Sequence, residues 1–424
     1  MDVKPLSDSR AGLRLRALDT FAAMRHPNYR IWSVGQFISS IGGWMQNTAQ
    51  GYLIYDLTQS TAYLGYVSFA WGVPIWLFSL YGGVVADRVS RRTMLFLTNT
   101  LLMSLSFIIS GLIFAGVVQP WHILVMAVLS GVANAFDGPS RNGFIMELVG
   151  REDLTNAIAL NATIFHLATI LGPAVGGLAY AVLGPGWCFA ANGLSFVAML
   201  FALWRMHLPA HAVRQRAASA LMELREGIQY ALGHETIRTL LINLAVFAIF
   251  GFSLTTIIPA WAVDVLGGDV QTNGLLLSAR GVGSLVAALL IASTGRKGIR
   301  GPLLSMAMLI LPAATLIFAQ LHWLPISLVL MAVMGLGTLK LQVAVRLIKR
   351  AVAPSTATVD PTNARAVVAC AVRSICRAIS GLNDRISWNW GFRSCCSARG
   401  PSASNRRISS LVTWRSCSSS YCPR

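Results

Sequence analysis

An acid set among guanidinium groups is one arrangement in this sequence able to do electrostatic work. Gly83-Val84-Val85-Ala86-Asp87-Arg88-Val89-Ser90-Arg91-Arg92 places Asp87 beside Arg88, with Arg91 and Arg92 one turn on. Such a set ties neighbouring helix ends through charge-assisted hydrogen bonds, and Gly83 lets two backbones approach. The alternative is a basic loop with one incidental acid. A second arrangement is Gly172-Pro173-Ala174-Val175-Gly176-Gly177. Proline removes a backbone donor and bends a helix, while glycines one turn apart allow close packing. A kinked packing helix with no role in coupling is the other reading of that string.

Polar side chains inside apolar runs are costly in lipid and usually face a cavity. Gln36, Ser40, Gly43, Asn47 and Gln50 recur at spacings of four, three, four and three, which puts them on one helical face. Gln36, Asn47 and Gln50 are therefore candidate cavity lining, with a polar helix–helix seam as the alternative. His166 either titrates near neutral pH or is a hydrogen-bonded packing group. Arg280 either attracts an anionic substrate or snorkels and pairs with Asp264 or Asp269. Asp137 and Arg141, four residues apart, read as a structural ion pair near Arg88.

Other chemistries find no support. Ser, His, Asp and Cys form no nucleophilic constellation, and no metal-ligand spacing occurs before residue 339. Gly281-Val282-Gly283 is not followed by Lys-Ser/Thr, so it is no phosphate loop. We expect no catalytic residue, no cofactor and no metal. An ion gradient or the substrate gradient would supply the energy.

The elements that position these residues follow from composition. The 424 residues are 55% hydrophobic and 12% charged, where soluble domains carry about 25% charged residues. That excludes a disulfide scaffold, a disordered chain and an ordinary cytosolic enzyme. Apolar runs occur at about 31–55, 61–85, 93–117, 120–138, 158–182, 186–206, 239–263, 272–294, 302–319 and 323–339. Most reach the ~20 residues a helix needs to cross ~30 Å of hydrocarbon. Backbone groups inside lipid must bond within their own segment, so each run is read as a helix. The expectation is an all-α polytopic membrane protein of six spans, a polar segment, then about four more.

Charge fixes the expected orientation. Of the 20 Lys/Arg before residue 340, 19 fall in the N-terminal arm and in every second loop, Arg280 being the exception. That pattern places the N-terminus and the central linker in the cytoplasm. Leu13, Leu15, Leu18, Phe21 and Met24, interleaved with Arg14, Arg16 and Arg25, suit an amphipathic helix on the membrane surface; a disordered basic arm is the alternative.

The loop at Gly83–Arg92 resembles the signature loop of the major facilitator superfamily, with Ser90 standing where a second glycine is usual. Gly172–Gly177 looks like the fifth-helix motif of that superfamily's exporters. From Arg25-His26-Pro27-Asn28-Tyr29-Arg30 through Leu57-Thr58-Gln59-Ser60 to Pro139-Ser140-Arg141, the chain is similar to the transmembrane secretion effector branch, which includes siderophore exporters and macrolide-type efflux pumps. The resemblance covers about residues 20–339. It implies a major-facilitator bundle that exports a small organic molecule by alternating access, as a monomer in a bacterial inner membrane, without a nucleic-acid partner. Drug/proton antiporters of the superfamily carry an arginine in span four, three residues before a glycine. Val128 occupies that place before Gly131, so the motif does not imply proton coupling. An importer or uniporter of the same fold is the alternative.

The domain reading is a cytoplasmic arm at 1–30, a six-helix bundle at 31–206, a linker at 207–238, an incomplete four-span bundle at 239–339 and an aberrant tail at 340–424. The tail carries +12 of the chain's +18, contains no glutamate, and holds six of the seven cysteines. It has no apolar run near ~20 residues. We read it as out-of-frame translation starting near residue 339, in place of spans eleven and twelve. A basic tail that binds lipid or nucleic acid in a non-transporting membrane protein is the alternative. Zinc held by Cys370 and Cys376, or by Cys417 and Cys422, is disfavoured because no paired CxxC knuckle exists. The resemblance implies that Asp87 braces span eleven, so weak or absent transport is expected of this exact polypeptide.

Overall fold

The computed structural model describes residues 21–206, 254–293 and 310–337 together with 229, 232–233, 238 and 241–242, the side chains at 80, 83, 84, 86–88 and 291–293 excepted. The expectations for residues 1–20, for most of the linker and for the tail lie outside the described residues.

After a 3₁₀ turn at Ala22–Arg25, the helical segments among the continuously described residues are, in chain order, α1 (Pro27–Thr58), α2 (Thr61–Arg88), α3 (Arg91–Phe114), α4 (Pro120–Val149), α5 (Leu154–Leu183), α6 (Pro185–Arg205), α7 (Leu254–Asp264), α8 (Val270–Ser293), α9 (310–318) and α10 (Leu324–Leu336). Local chemistry sets their limits. Pro27, Pro120 and Pro185 stand at the first position of α1, α4 and α6, where a missing N–H costs nothing. Gly150 and Gly184 end α4 and α5 with φ of 70° and 90°, a region open to glycine. The turn from α2 to α3 needs no second glycine. Ser90 there has φ −58° and its Oγ accepts from the Thr93 N–H, capping α3.

α3, α4, α5, α6 and the Val270–Leu290 part of α8 are long and apolar enough to cross a membrane. α1 and α2, at 32 and 28 residues, have the length. Their Gln, Ser, Asn, Gly, Trp and Tyr residues dilute the apolar content. Outward faces stay greasy: Trp76, Phe69, Val182 and Trp204 are at least two-thirds or so exposed, as side chains meeting lipid tails are.

Glycines set the closest seams. A Cβ on Gly82 would run into the Ala135 carbonyl, and one on Gly131 into the Trp71 carbonyl, so α2 and α4 pack backbone to backbone. Gly186 and Gly193 of α6 admit the rings of Phe114 and Phe107 from α3. In the second half, Gly283 meets the Ala332 carbonyl and Gly335 the Arg280 carbonyl, joining α8 to α10. Cys188, fully buried, packs as a small apolar group in the cluster formed by Leu53, Ile54, Ile123 and Phe189.

The ends of the helices that carry the arginines converge. Arg91 donates to the Gly143 carbonyl at 3.1 Å and to Glu147 at 2.8 Å, and Arg92 donates to the Trp204 carbonyl at 3.1 Å. His26 meets Asp153 at 2.9 Å. We refer to this as the basic end.

Candidate functional site

α5 is the helix on which the two halves meet, and its Gly-Pro string explains how. Gly172 and Gly176 face α1: a Cβ on Gly172 would strike Trp44 Cβ, and one on Gly176 would lie 2.9 Å from the Met45 carbonyl oxygen. Gly177 faces α8, where a Cβ would lie 2.8 Å from the Val270 carbonyl oxygen. From the opposite side, Gly274 would place a Cβ 2.5 Å from the Pro173 carbonyl oxygen, and Gly281 one 2.5 Å from that of Thr169. Thr169 is four residues before Pro173, so its carbonyl lacks the helical donor that proline cannot supply. α8 comes as near at the carbonyl that the proline leaves free as at that of Pro173 itself. A Cα–H of glycine against such a carbonyl is a weak but recurrent helix contact. Two side-chain bonds complete the seam: Ser278 Oγ donates to the Ile170 carbonyl at 2.7 Å, and Ser284 Oγ lies 2.9 Å from His166 Nδ1.

The candidate stripe on α1 divides. Gln36, at the basic end, donates to Ser40 at 2.9 Å, and its amide oxygen accepts from Arg141. Arg141 also donates to Asp137 at 2.7 Å and lies over the Trp32 ring, 5.7 Å from its centroid. Asp137, buried, accepts further bonds from Thr98 and Asn99. Asp137 and Arg141 thus form the i,i+4 pair read from sequence, tied to α1 and α3. Further along α1, a Cβ on Gly43 would meet open space, Asn47 is exposed and Gln50 half-buried. The expected approach of Arg88, and the side chains of Gly83 and Asp87, lie outside the described residues.

Gln46, one position off the stripe, is the residue that sequence reasoning missed. Its side-chain oxygen accepts from Ser106 of α3 at 2.8 Å and from Asn192 of α6 at 2.7 Å. Ser195 in turn donates to the Asn192 side-chain oxygen at 3.0 Å. Gly42 makes room, since a Cβ there would lie 2.5 Å from Ser195 Oγ. The polar character of Gln46, Ser106, Asn192 and Ser195 was visible in the sequence; their meeting was not.

At the end opposite the basic one, α1 and α2 close on α7. Tyr55 donates to Asp264, 2.6 Å from either carboxylate oxygen. Ser68 Oγ lies 3.2 Å from Thr256 Oγ1, and Pro259 touches the Cα side of Gly51. A π-helical turn at Trp261–Val265 carries Asp264, and Gly267 at φ 59° turns the chain into α8. Asp269 then caps α8, accepting from the Thr272 N–H at 3.0 Å. The two acids read as partners for Arg280 are therefore engaged elsewhere. Among the described residues, no carboxylate lies within ion-pairing distance of Arg280.

The helical bundle agrees with what comparison with known proteins finds. The family described as transmembrane secretion effector matches residues 18–359. The chain belongs to that family. Among its relatives is the staphyloferrin A transporter of Staphylococcus aureus, 25% identical over 257 residues that make up 60% of this chain and 64% of the relative. The chain thus spans just under two-thirds of that transporter's length. The multidrug efflux pump Tap of Mycobacterium tuberculosis is 29% identical over 319 residues, 70% of this chain and 73% of the pump. In fold, the chain is similar to a bacterial homologue of the human lysosomal transporter Spinster solved in an inward-facing, unoccupied conformation, with a TM-score of 0.57 at 16% identity, covering 82% of this chain and 78% of that one. This secretion-effector chain has transporters, not enzymes, for its family and relatives.

Proposed function

We propose that the chain exports a small organic molecule across a bacterial cytoplasmic membrane by alternating access. The observation that carries this reading is the α5–α8 seam, where Gly177, Gly274 and Gly281 bring the two halves into backbone contact beside the Ser278 and Ser284 hydrogen bonds. Close contact of that kind lets one bundle rock against the other around a site near the bilayer midplane. The closure of α1 and α2 on α7 at one end fits a state open toward the other. Two relatives are named as a staphyloferrin A transporter and a multidrug efflux pump, which favours export of an organic solute.

In this reading the N-terminus and the central linker lie in the cytoplasm, and the working unit is a monomer. Asp87, Arg88, Arg91 and Arg92 brace the basic end; Asn47, Gln50, His166 and Arg280 border the path. Val128 leaves proton coupling without its usual span-four arginine. Residues 1–30 and 207–238 serve as arm and linker, and the tail after 339 is read as frame-shifted sequence.

The test is efflux from loaded vesicles containing the full chain, set beside a chain restored to the frame that continues the apolar pattern. Restored efflux that a Gly274→Leu change abolishes is the expected result. Accumulation against the gradient into the cytoplasmic side would make it an importer instead.

A further inference from the structure

The faces of α8 can be sorted by what each one meets. Gly274, Ser278 and Gly281 meet α5; Gly283 and the Arg280 carbonyl meet α10; Leu275, Val282, Val286 and Leu289 form an exposed apolar face. The remaining face, between the α5 and α10 seams, turns into the bundle and holds Asn273, Leu277, Arg280 and Ser284 at spacings of four, three and four. Arg280 stands ten residues past the start of α8, roughly 15 Å along the axis and so near the middle of ~30 Å of hydrocarbon. That depth is beyond the reach of snorkelling to either surface. With Asp264 and Asp269 engaged by Tyr55 and Thr272, its charge has no carboxylate partner among the described residues. Asn273, fully buried on the same face, has neither amide atom hydrogen-bonded. Both are costly arrangements unless something else completes them.

We infer that this face of α8 binds an organic anion, with a carboxylate on Arg280 and Ser284 and a hydrogen-bonding group about 10 Å away on Asn273. The inference rests on the transport reading and narrows its substrate to elongated carboxylates. His166, on Ser284 through its Nδ1, fixes the hydroxyl that shares the carboxylate with Arg280.

Two xanthene dyes of similar size and opposite charge make the test: 5-carboxyfluorescein and rhodamine 123. Binding to the detergent-purified full chain is read by fluorescence polarisation. The native chain binds carboxyfluorescein, Arg280→Gln weakens that binding by about tenfold or more, and Arg280→Lys weakens it less. Rhodamine 123 binds Arg280→Gln as well as, or better than, the native chain. Ser284→Ala keeps the charge and weakens carboxyfluorescein by only about threefold, which covers the case in which Arg280→Gln does not fold. No binding of carboxyfluorescein to the native chain, or equal binding to Arg280→Gln, or equal loss of both dyes, overturns the site. Vesicle efflux separates this result from the parent reading. Charge-dependent binding with no efflux sinks export and keeps the anion site, whereas efflux of carboxyfluorescein unchanged by Arg280→Gln keeps export and sinks the site.

Discussion

Single side chains decide two properties here, the stability of the first bundle and the closure of one end. Gln46 accepts from both Ser106 and Asn192 inside the α1–α3–α6 packing. Gln46→Leu strands the Asn192 amide, whereas Ser106 keeps the Leu102 carbonyl 2.9 Å away, and a buried donor left unpaired costs about 1–3 kcal/mol. A lower unfolding midpoint with unchanged helix content is expected on heating in detergent; an unchanged midpoint would mean water replaces the amide. Tyr55→Phe removes the bond to Asp264 that links α1 to α7. Hydrogen bonds to charged groups contribute about 1.5–3 kcal/mol, enough to shift a two-state balance by more than tenfold. We expect a cysteine at Asn47, in a chain freed of its seven native cysteines, to react faster with an impermeant maleimide added from the far side. Equal rates would show that Tyr55 does not hold that end. Spacing alone exposed the pairing of Asp137 with Arg141, because four residues of helix bring them together. Tyr55 and Asp264 are 209 residues apart, and no local rule joins them.

Elements are where the sequence was most readable. Apolar length gave the order of spans, and one boundary moved far: the run at 120–138 is only the first part of α4, which continues through Asp137, Pro139 and Arg141 to Val149. Hydropathy stops where polar residues begin, whereas the helix stops only at Gly150. The Gly172–Gly177 string foretold close packing but not its two-sidedness, with Gly172 and Gly176 toward α1 and Gly177 toward α8. A strict contrast follows. Gly274→Leu has no space against the Pro173 carbonyl, and overpacking costs about 1–3 kcal/mol when neighbours must shift. Gly43→Ala enters open space and should leave both folding and transport near native. Measured side by side in vesicles, efflux should fall for Gly274→Leu alone. Loss in both would locate the sensitivity in glycine content rather than in the seam.

For the molecule as a whole, the arrangement of charge makes a prediction independent of any substrate. Alkaline phosphatase fused after residue 183, between α5 and α6, should be active outside the cell, and fused after residue 225 it should be inactive. The reverse pattern would invert the bundle and, with it, the direction of transport. What the sequence left hidden at this scale is how the halves touch, since seams between distant helices depend on backbone proximity that no periodicity records. Along the glycines the α5–α8 contact is backbone on backbone, with carbonyls of Thr169 and Pro173 resting against Gly281 and Gly274, and two hydroxyl bonds, from Ser278 and Ser284, are the side-chain links described across it. A surface of that sort behaves as a bearing. Nothing has to be unthreaded for one half to pivot over the other, so turnover would be limited by the latches at the rims and by cargo release, and scarcely by friction along the axle.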